Sequence, residues 1–183
     1  HHPGEILPEA FAIINPKQPG DSYPDKDLAG VGVAYKIAEA LLEQYPNCKI
    51  QPDELLDLVA LGTVADLAPL TGENRNLVRR GIRQLRQTQR QGLFSLSNVA
   101  GLELKKINTS NIGFGLGPRL NAAGRLDSAM AAFDLLTTRD VQTAGQLAQK
   151  LEIQNRDRQQ VTRLMQAQAE KMVLEEDPDS LLL

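Results

Sequence analysis

The chain has 183 residues, 42% of them hydrophobic and 23% charged, with a formal net charge of −3. This composition is ordinary for a globular chain of one domain, or of one domain with part of another. It argues against a generically basic nucleic-acid binder. No apolar run approaches the ~18 residues of a membrane-spanning helix, and no signal peptide opens the sequence. One cysteine, Cys48, excludes an internal disulfide framework and any CxxC metal knuckle, so a reducing, cytoplasmic setting is expected.

In chain order, Phe11 to Ile14 is a short apolar run closed by Asn15-Pro16, the pattern of a buried strand entering a loop. Residues 16–27 form a polar, Pro/Gly/Asp-rich connection. From Gly30 the spacing of Val31, Tyr35, Ala38, Leu41/Leu42 and Tyr45 predicts a helix that Pro46-Asn47 stops. A second, more apolar helix is expected from about Asp53, with Leu55, Leu56 and Leu58–Leu61 around a single Asp57 and Gly62 as its end. The segment from Thr63 to Leu70 should then turn sharply. A third helix, about Glu73 to Thr88, places Leu77, Ile82 and Leu85 inward and its arginines mostly outward. Leu93 to Val99 reads as a short helix. Ile112 to Pro118 is too glycine-rich for a regular element. Asp127 or Ser128 can cap a helix to Leu136, and Asp140 a helix of about thirty residues whose polar middle, Glu152 to Gln160, suits a solvated connector. Leu181 to Leu183 looks like the start of a strand.

Five features could carry chemistry. Asp66 sits between the apolar stretch from Leu58 to Val64 and Leu67-Ala68-Pro69-Leu70. A carboxylate buried there must be paired, hydrogen-bonded or bound to a metal, and a helix cap is the plainer alternative. His1-His2 could be metal ligands, a frayed terminus or residues of a purification tag. The segment Gly117-Pro118-Arg119-Leu120-Asn121-Ala122-Ala123-Gly124-Arg125-Leu126 combines small residues, which allow close backbone approach, with directed donors suited to phosphate. An arginine pinning a helix terminus would look the same. Finally, Arg75, Arg79, Arg80, Arg83, Arg86 and Arg90 occur in a stretch without acids. Such a run could track a nucleic-acid backbone, although a solvated helix face is the commoner meaning. Gly30-Val31-Gly32-Val33 hints at a phosphate cradle without completing GxGxxG. Only seven aromatics leave no obvious base-stacking platform.

Taken together, Ala12-Ile13-Ile14-Asn15-Pro16, Leu28 to Ala34, Leu56 to Leu70 with Gly72-Glu73-Asn74-Arg75, and Gly117 to Leu126 resemble the RecJ family. These are single-stranded-DNA-specific exonucleases of the DHH phosphoesterase superfamily, and the resemblance runs from about Pro3 to Glu170. It implies an α/β fold, mostly helical in this segment. Residues 1–137 would be the second half of the DHH domain, 138–176 the connector helix, and 177–183 the start of a second, substrate-binding domain. It also implies two divalent cations, manganese or magnesium, that activate a water for in-line attack on a phosphodiester. By this resemblance Asp66 is a metal ligand and the catalytic carboxylate, His1 and His2 are conditional ligands, and Arg125 meets the scissile or terminal phosphate. Asn121 and Arg119 would organise its loop.

The departures bear on activity. The aspartate-rich first and second motifs and the glycine/histidine-rich motif of the second domain do not occur in this sequence, and His1-His2 lacks the preceding aspartate of an Asp-His-His motif. The expected function is therefore a segment of a metal-dependent 5′-to-3′ exonuclease of DNA repair and recombination, inactive alone. Its substrate would be single-stranded DNA, with a single-strand-binding protein or helicase as partner of the whole protein. A non-catalytic nucleic-acid-binding or replisome scaffold and a small-substrate DHH phosphatase are the alternatives.

Overall fold

The computed structural model describes residues 3, 4, 6–126 and 129–176, the side chains of 123–126 and 174–176 excepted. About 67% of the described residues are helical, and they contain no strand. Among the described residues seven α-helices follow in order: α1 (Gly30–Gln44), α2 (Leu56–Ala65), α3 (Gly72–Leu85), α4 (Gln91–Val99), α5 (Gly117–Leu126), α6 (Met130–Thr137) and α7 (Val141–Glu176). Two compact units emerge, one of His1–Gln89 with Ala100–Gly117 and one of Arg90–Val99 with Pro118–Leu183. No described helix is long and apolar enough to cross a membrane.

In the first unit α2 is the centre. Leu56, Asp57, Val59, Ala60, Leu61, Thr63 and Val64 are all buried, so the helix is covered on every side. It packs against α3 and α1, with Leu28, Tyr35, Leu56, Val59 and Leu77 forming a core joined by Tyr23, Val31, Val33 and Leu55. Gly62 does not end α2 as expected. A Cβ there would stand 2.9 Å from Val31 Cγ1, so this glycine serves the close approach of α1 while the helix continues to Ala65. Gly81 does the same for α3, where a Cβ would lie 2.2 Å from the Leu56 carbonyl oxygen.

The expected strand at Phe11 to Ile14 is irregular, with Phe11 and Ile14 exposed. A strand needs a neighbour for its N–H and C=O groups, and the described residues offer none. The glycine-rich stretch is also more regular than its composition suggests. Asn111–Leu116 forms a π-helical turn that leads into α5. Asn108 and Asn111 start it reciprocally, each backbone N–H donating to the other's Oδ1 at 3.0 Å. Its glycines make room for neighbours, since a Cβ on Gly115 would lie 2.7 Å from Leu102 Cδ1.

In the second unit, Leu93, Leu96, Leu135, Ala144, Ala148 and Leu151 bury the facing sides of α4, α6 and α7. Asp140 caps α7, its Oδ2 accepting the Thr143 N–H at 2.6 Å. The polar middle of α7 is largely solvent-facing, with Glu152 and Asn155 as its buried exceptions. Polar side chains can occupy a core-facing position when they find partners, and Glu152 finds two arginines. Asp127, Ser128 and Leu181 to Leu183 lie outside the described residues.

Candidate functional site

The site begins at the end of α2. Asp66 is the residue after the last helical turn, its N–H donating to the Gly62 carbonyl at 2.9 Å. The chain then reverses through Leu67, which takes φ = +57°. That conformation is strained for a branched residue and persists only because its surroundings impose it. The Leu67 and Ala68 N–H groups donate back to the Val64 and Thr63 carbonyls at 3.2 and 3.3 Å, so the turn is tied to α2.

The expectation of a buried acid at 66 is corrected by this geometry. Asp66 is exposed, and the buried acid of the segment is Asp57. Asp57 accepts the Leu58 N–H at 2.8 Å and the Thr88 hydroxyl at 2.7 Å. Apolar neighbours in sequence misplace Asp66 because the helical period stops there, turning 66 and 67 outward while Val64 stays inside. Among the described residues the Asp66 carboxylate has no hydrogen-bond or ion-pair partner. It stands at the negative end of a helix dipole, where a carboxylate is disfavoured and a cation is favoured.

Asp66 lines a shallow cleft with Gly62, Ala29, Gly30 and Val31. The last two open α1, whose first-turn N–H groups have no intrahelical acceptor, and no side chain caps it. One wall therefore offers a free carboxylate and the other N–H donors. Chemically, that pairing suits a cation and an anion held side by side.

Asn74 fixes both walls. Its Nδ2 donates to the carbonyls of Asp27 (2.7 Å) and Pro69 (3.1 Å), and its Oδ1 accepts the Ala29 N–H at 3.2 Å. One buried amide thus staples the segment before α1 to the segment after Asp66. Asp25 adds a second tie, accepting the Glu73 N–H at 2.7 Å. A Cβ on Gly72, at φ = +46°, would lie 2.6 Å from that carboxylate. Glu73 in turn accepts from the Tyr23 hydroxyl and pairs with Lys36, which also reaches Glu39. Burial opposes the charges of Glu73 and Glu39, but Lys36 outweighs it and holds both carboxyls below their ordinary value. Burial, then the Glu73 carboxylate, pushes the Tyr23 hydroxyl up to about 12. Asn74 receives no role from the sequence. Its spacing with Leu77, Val78, Gly81 and Leu85 does put it on the core face of α3, where an amide must find partners.

Two other expected site residues, Arg119 and Asn121, belong to the second unit. Asn121 is exposed on α5. Arg119 is half-buried, with its Nε donating to Glu152 Oε2, while Arg156 Nε donates to Glu152 Oε1 at 2.6 Å. Burial works against the Glu152 charge, and the guanidiniums of Arg156 and Arg119 more than offset it, holding the carboxyl low. His1, His2 and the Arg125 side chain lie outside the described residues.

A fit to metal can be tested on the donor set. Among the described residues, no three His, Cys, Asp or Glu side chains converge as ligands. A two-cation centre needs several ligands, carboxylates bridging the ions among them, and Asp66 alone supplies one. The described residues do not make such a centre by themselves.

No family model matches the chain. It is 45% identical over 179 residues, 98% of its length, to the single-stranded-DNA-specific exonuclease RecJ of Bacillus subtilis, and 42% identical over 183 residues to RecJ of Escherichia coli. These alignments cover 22% and 31% of the two relatives, so the chain spans less than a third of their length. Its fold superposes on RecJ of Thermus thermophilus in complex with Mn²⁺ with a TM-score of 0.77 at 34% identity. That match covers 90% of this chain and 24% of the other. A second structure from the same organism is in complex with Mg²⁺, with a TM-score of 0.70 at 35% identity over 79% of this chain and 22% of that one. Its sequence over nearly every residue and its helical fold together make this chain a member of the RecJ family, of which it forms a segment.

Proposed function

We propose that this chain is a segment of an exonuclease that degrades single-stranded DNA from the 5′ end with two divalent cations, manganese or magnesium. Asp66 is one ligand, joined by His1 and His2. Arg125 binds the phosphate at the cleavage site, with Asn121 and with Arg119 anchoring its helix through Glu152. The whole protein would act in the cytoplasm in DNA repair and recombination, beside a single-strand-binding protein or a helicase.

The observation that carries this reading is the 45% identity to an exonuclease across 98% of the chain. The cleft supports it independently, because a free carboxylate facing the first turn of α1 suits a cation beside a phosphate. With a single described ligand, the isolated chain should neither bind Mn²⁺ tightly nor hydrolyse DNA. Calorimetric Mn²⁺ titration and a nuclease assay on 5′-phosphorylated single strands test this. Metal-dependent cleavage by the purified segment would overturn the assignment of the missing ligands to other parts of the protein. A full-length protein with intact upstream aspartates and no nuclease activity would instead favour the scaffold alternative.

A further inference from the structure

We infer that the outer face of α3 is a second binding surface for the sugar-phosphate backbone of single-stranded DNA, apart from the Asp66 cleft, with Arg75, Arg79 and Arg83 as its contacts. The inference rests on the proposed function for the identity of the substrate. Its evidence is the layout of charge on one helix.

Arg75, Arg79 and Arg83 lie at i, i+4 and i+8, the spacing that aligns side chains along one helix face. All three are exposed, opposite the buried Leu77, Val78, Gly81 and Leu85. Other arginines nearby are engaged. Arg80 pairs with Asp53, and Arg86 donates through Nε and Nη2 to the Ile107 carbonyl at 3.1 and 3.0 Å. The three aligned guanidiniums have no acceptor among the described residues. Their stripe spans about 12 Å at 1.5 Å per residue. No acid occurs between Arg75 and Arg90 in a chain whose net charge is −3, so this positive face runs against the overall charge.

The face also lacks what a protein partner would need. Protein interfaces are anchored by buried apolar or aromatic side chains. None of the large exposed hydrophobic residues lies on α3; the nearest in sequence, Leu70, precedes the helix. A row of guanidiniums without an apolar anchor fits a ligand recognised by charge alone, and a phosphate backbone is that ligand.

The test uses the full-length protein carrying this segment, with EDTA present to stop cleavage, and fluorescence anisotropy of a labelled oligothymidylate. Each single-strand phosphate contact contributes ~0.7 to the slope of log affinity against log salt. Replacing the three arginines together (Arg75→Gln, Arg79→Gln, Arg83→Gln) should therefore lower the slope by about 2, weakening binding about 100-fold at 0.1 M salt and converging with wild type near 1 M. The triple Arg→Lys variant should keep the slope and most of the affinity. Since the positions are exposed, the melting temperature of either variant should move by no more than about 3 °C. Neutralising Lys105 and Lys106, which lie outside α3, should leave binding unchanged.

An unchanged slope in the Gln variant, while wild type binds and cleaves, would overturn the inference and leave the proposed function standing. So would equal losses in the Lys and Gln variants, which would indicate altered structure rather than lost charge. Undiminished DNA binding together with lost binding of a polyglutamate probe would assign the face to an acidic protein partner. A wild-type protein that neither binds nor cleaves single strands would remove the proposed function and this inference together.

Discussion

Replacing Asn74 with alanine removes the staple that joins the two walls of the Asp66 cleft. Three hydrogen bonds disappear, to the carbonyls of Asp27 and Pro69 and from the Ala29 N–H. Each neutral bond contributes about 1 kcal/mol net. The Ala29 N–H belongs to a buried residue, and leaving it without an acceptor adds a penalty of about 1–3 kcal/mol. The better helix propensity of alanine returns only about 0.5 kcal/mol. The expected loss is about 4 kcal/mol, measured by urea denaturation of the full-length protein or of any segment that unfolds in two states. Asn74→Asp should be at least as damaging, because it keeps the acceptor for Ala29 but turns a carboxylate oxygen toward two carbonyls. Hydrogen exchange at the Ala29 amide adds a local readout, since opening there should rise about 1000-fold for that loss of stability. A loss below about 0.5 kcal/mol for Asn74→Ala, with Ala29 still protected, would refute the staple.

Two further outcomes follow from the packing and the charges. Gly81→Ala puts a methyl group 2.2 Å from the Leu56 carbonyl oxygen, a backbone atom that cannot rotate away, so α2 and α3 must separate. The protein should lose about 2–3 kcal/mol despite the better helix propensity of alanine, and a neutral or stabilised variant in thermal melts would contradict this packing. The second concerns acid. Glu39, Glu73 and Glu152 are held below the ordinary value of 4.5, so their contribution to stability is complete above the unfolded value and is lost as pH falls through the folded ones. Stability should therefore decline below about pH 4.5, and Glu152→Gln, about 2 kcal/mol less stable at neutral pH, should show a shallower acid limb. Parallel acid limbs for the two proteins in pH-dependent denaturation would contradict that.

Much of the helical framework was legible in the residues because local signals and packing agree there. The stop at Pro46 and the cap at Asp140 are local chemistry, and the apolar spacing of α3 survives in the burial of Leu77 and Leu85, whereas only Tyr35 of the apolar set of α1 is buried. The misreadings arose where tertiary contacts decide. Gly62, Gly115 and Gly117 look like helix breakers, yet each is small because another element lies against it. Glu152 and Asn155 sit in a run of polar residues, and only the fold shows the arginine partners that let Glu152 be buried. Phe11 to Ile14 has the composition of a strand without a partner among the described residues. For the site, the motif drew attention to Asp66 but misjudged its exposure. Asn74 was hidden because its three partners are backbone groups, which a pattern of side chains does not mark.

In the proposed function Asp66 is a functional rather than a structural carboxylate. Because it is exposed and without a partner among the described residues, Asp66→Ala should leave stability within about 0.5 kcal/mol of wild type. The decisive measurement is the cleavage rate of a 5′-phosphorylated single strand by full-length protein carrying this one substitution, at matched Mn²⁺ and with its melting curve recorded. A rate reduced by at least about 100-fold at an unchanged melting temperature is the predicted result. A rate within about twofold of wild type would contradict the account.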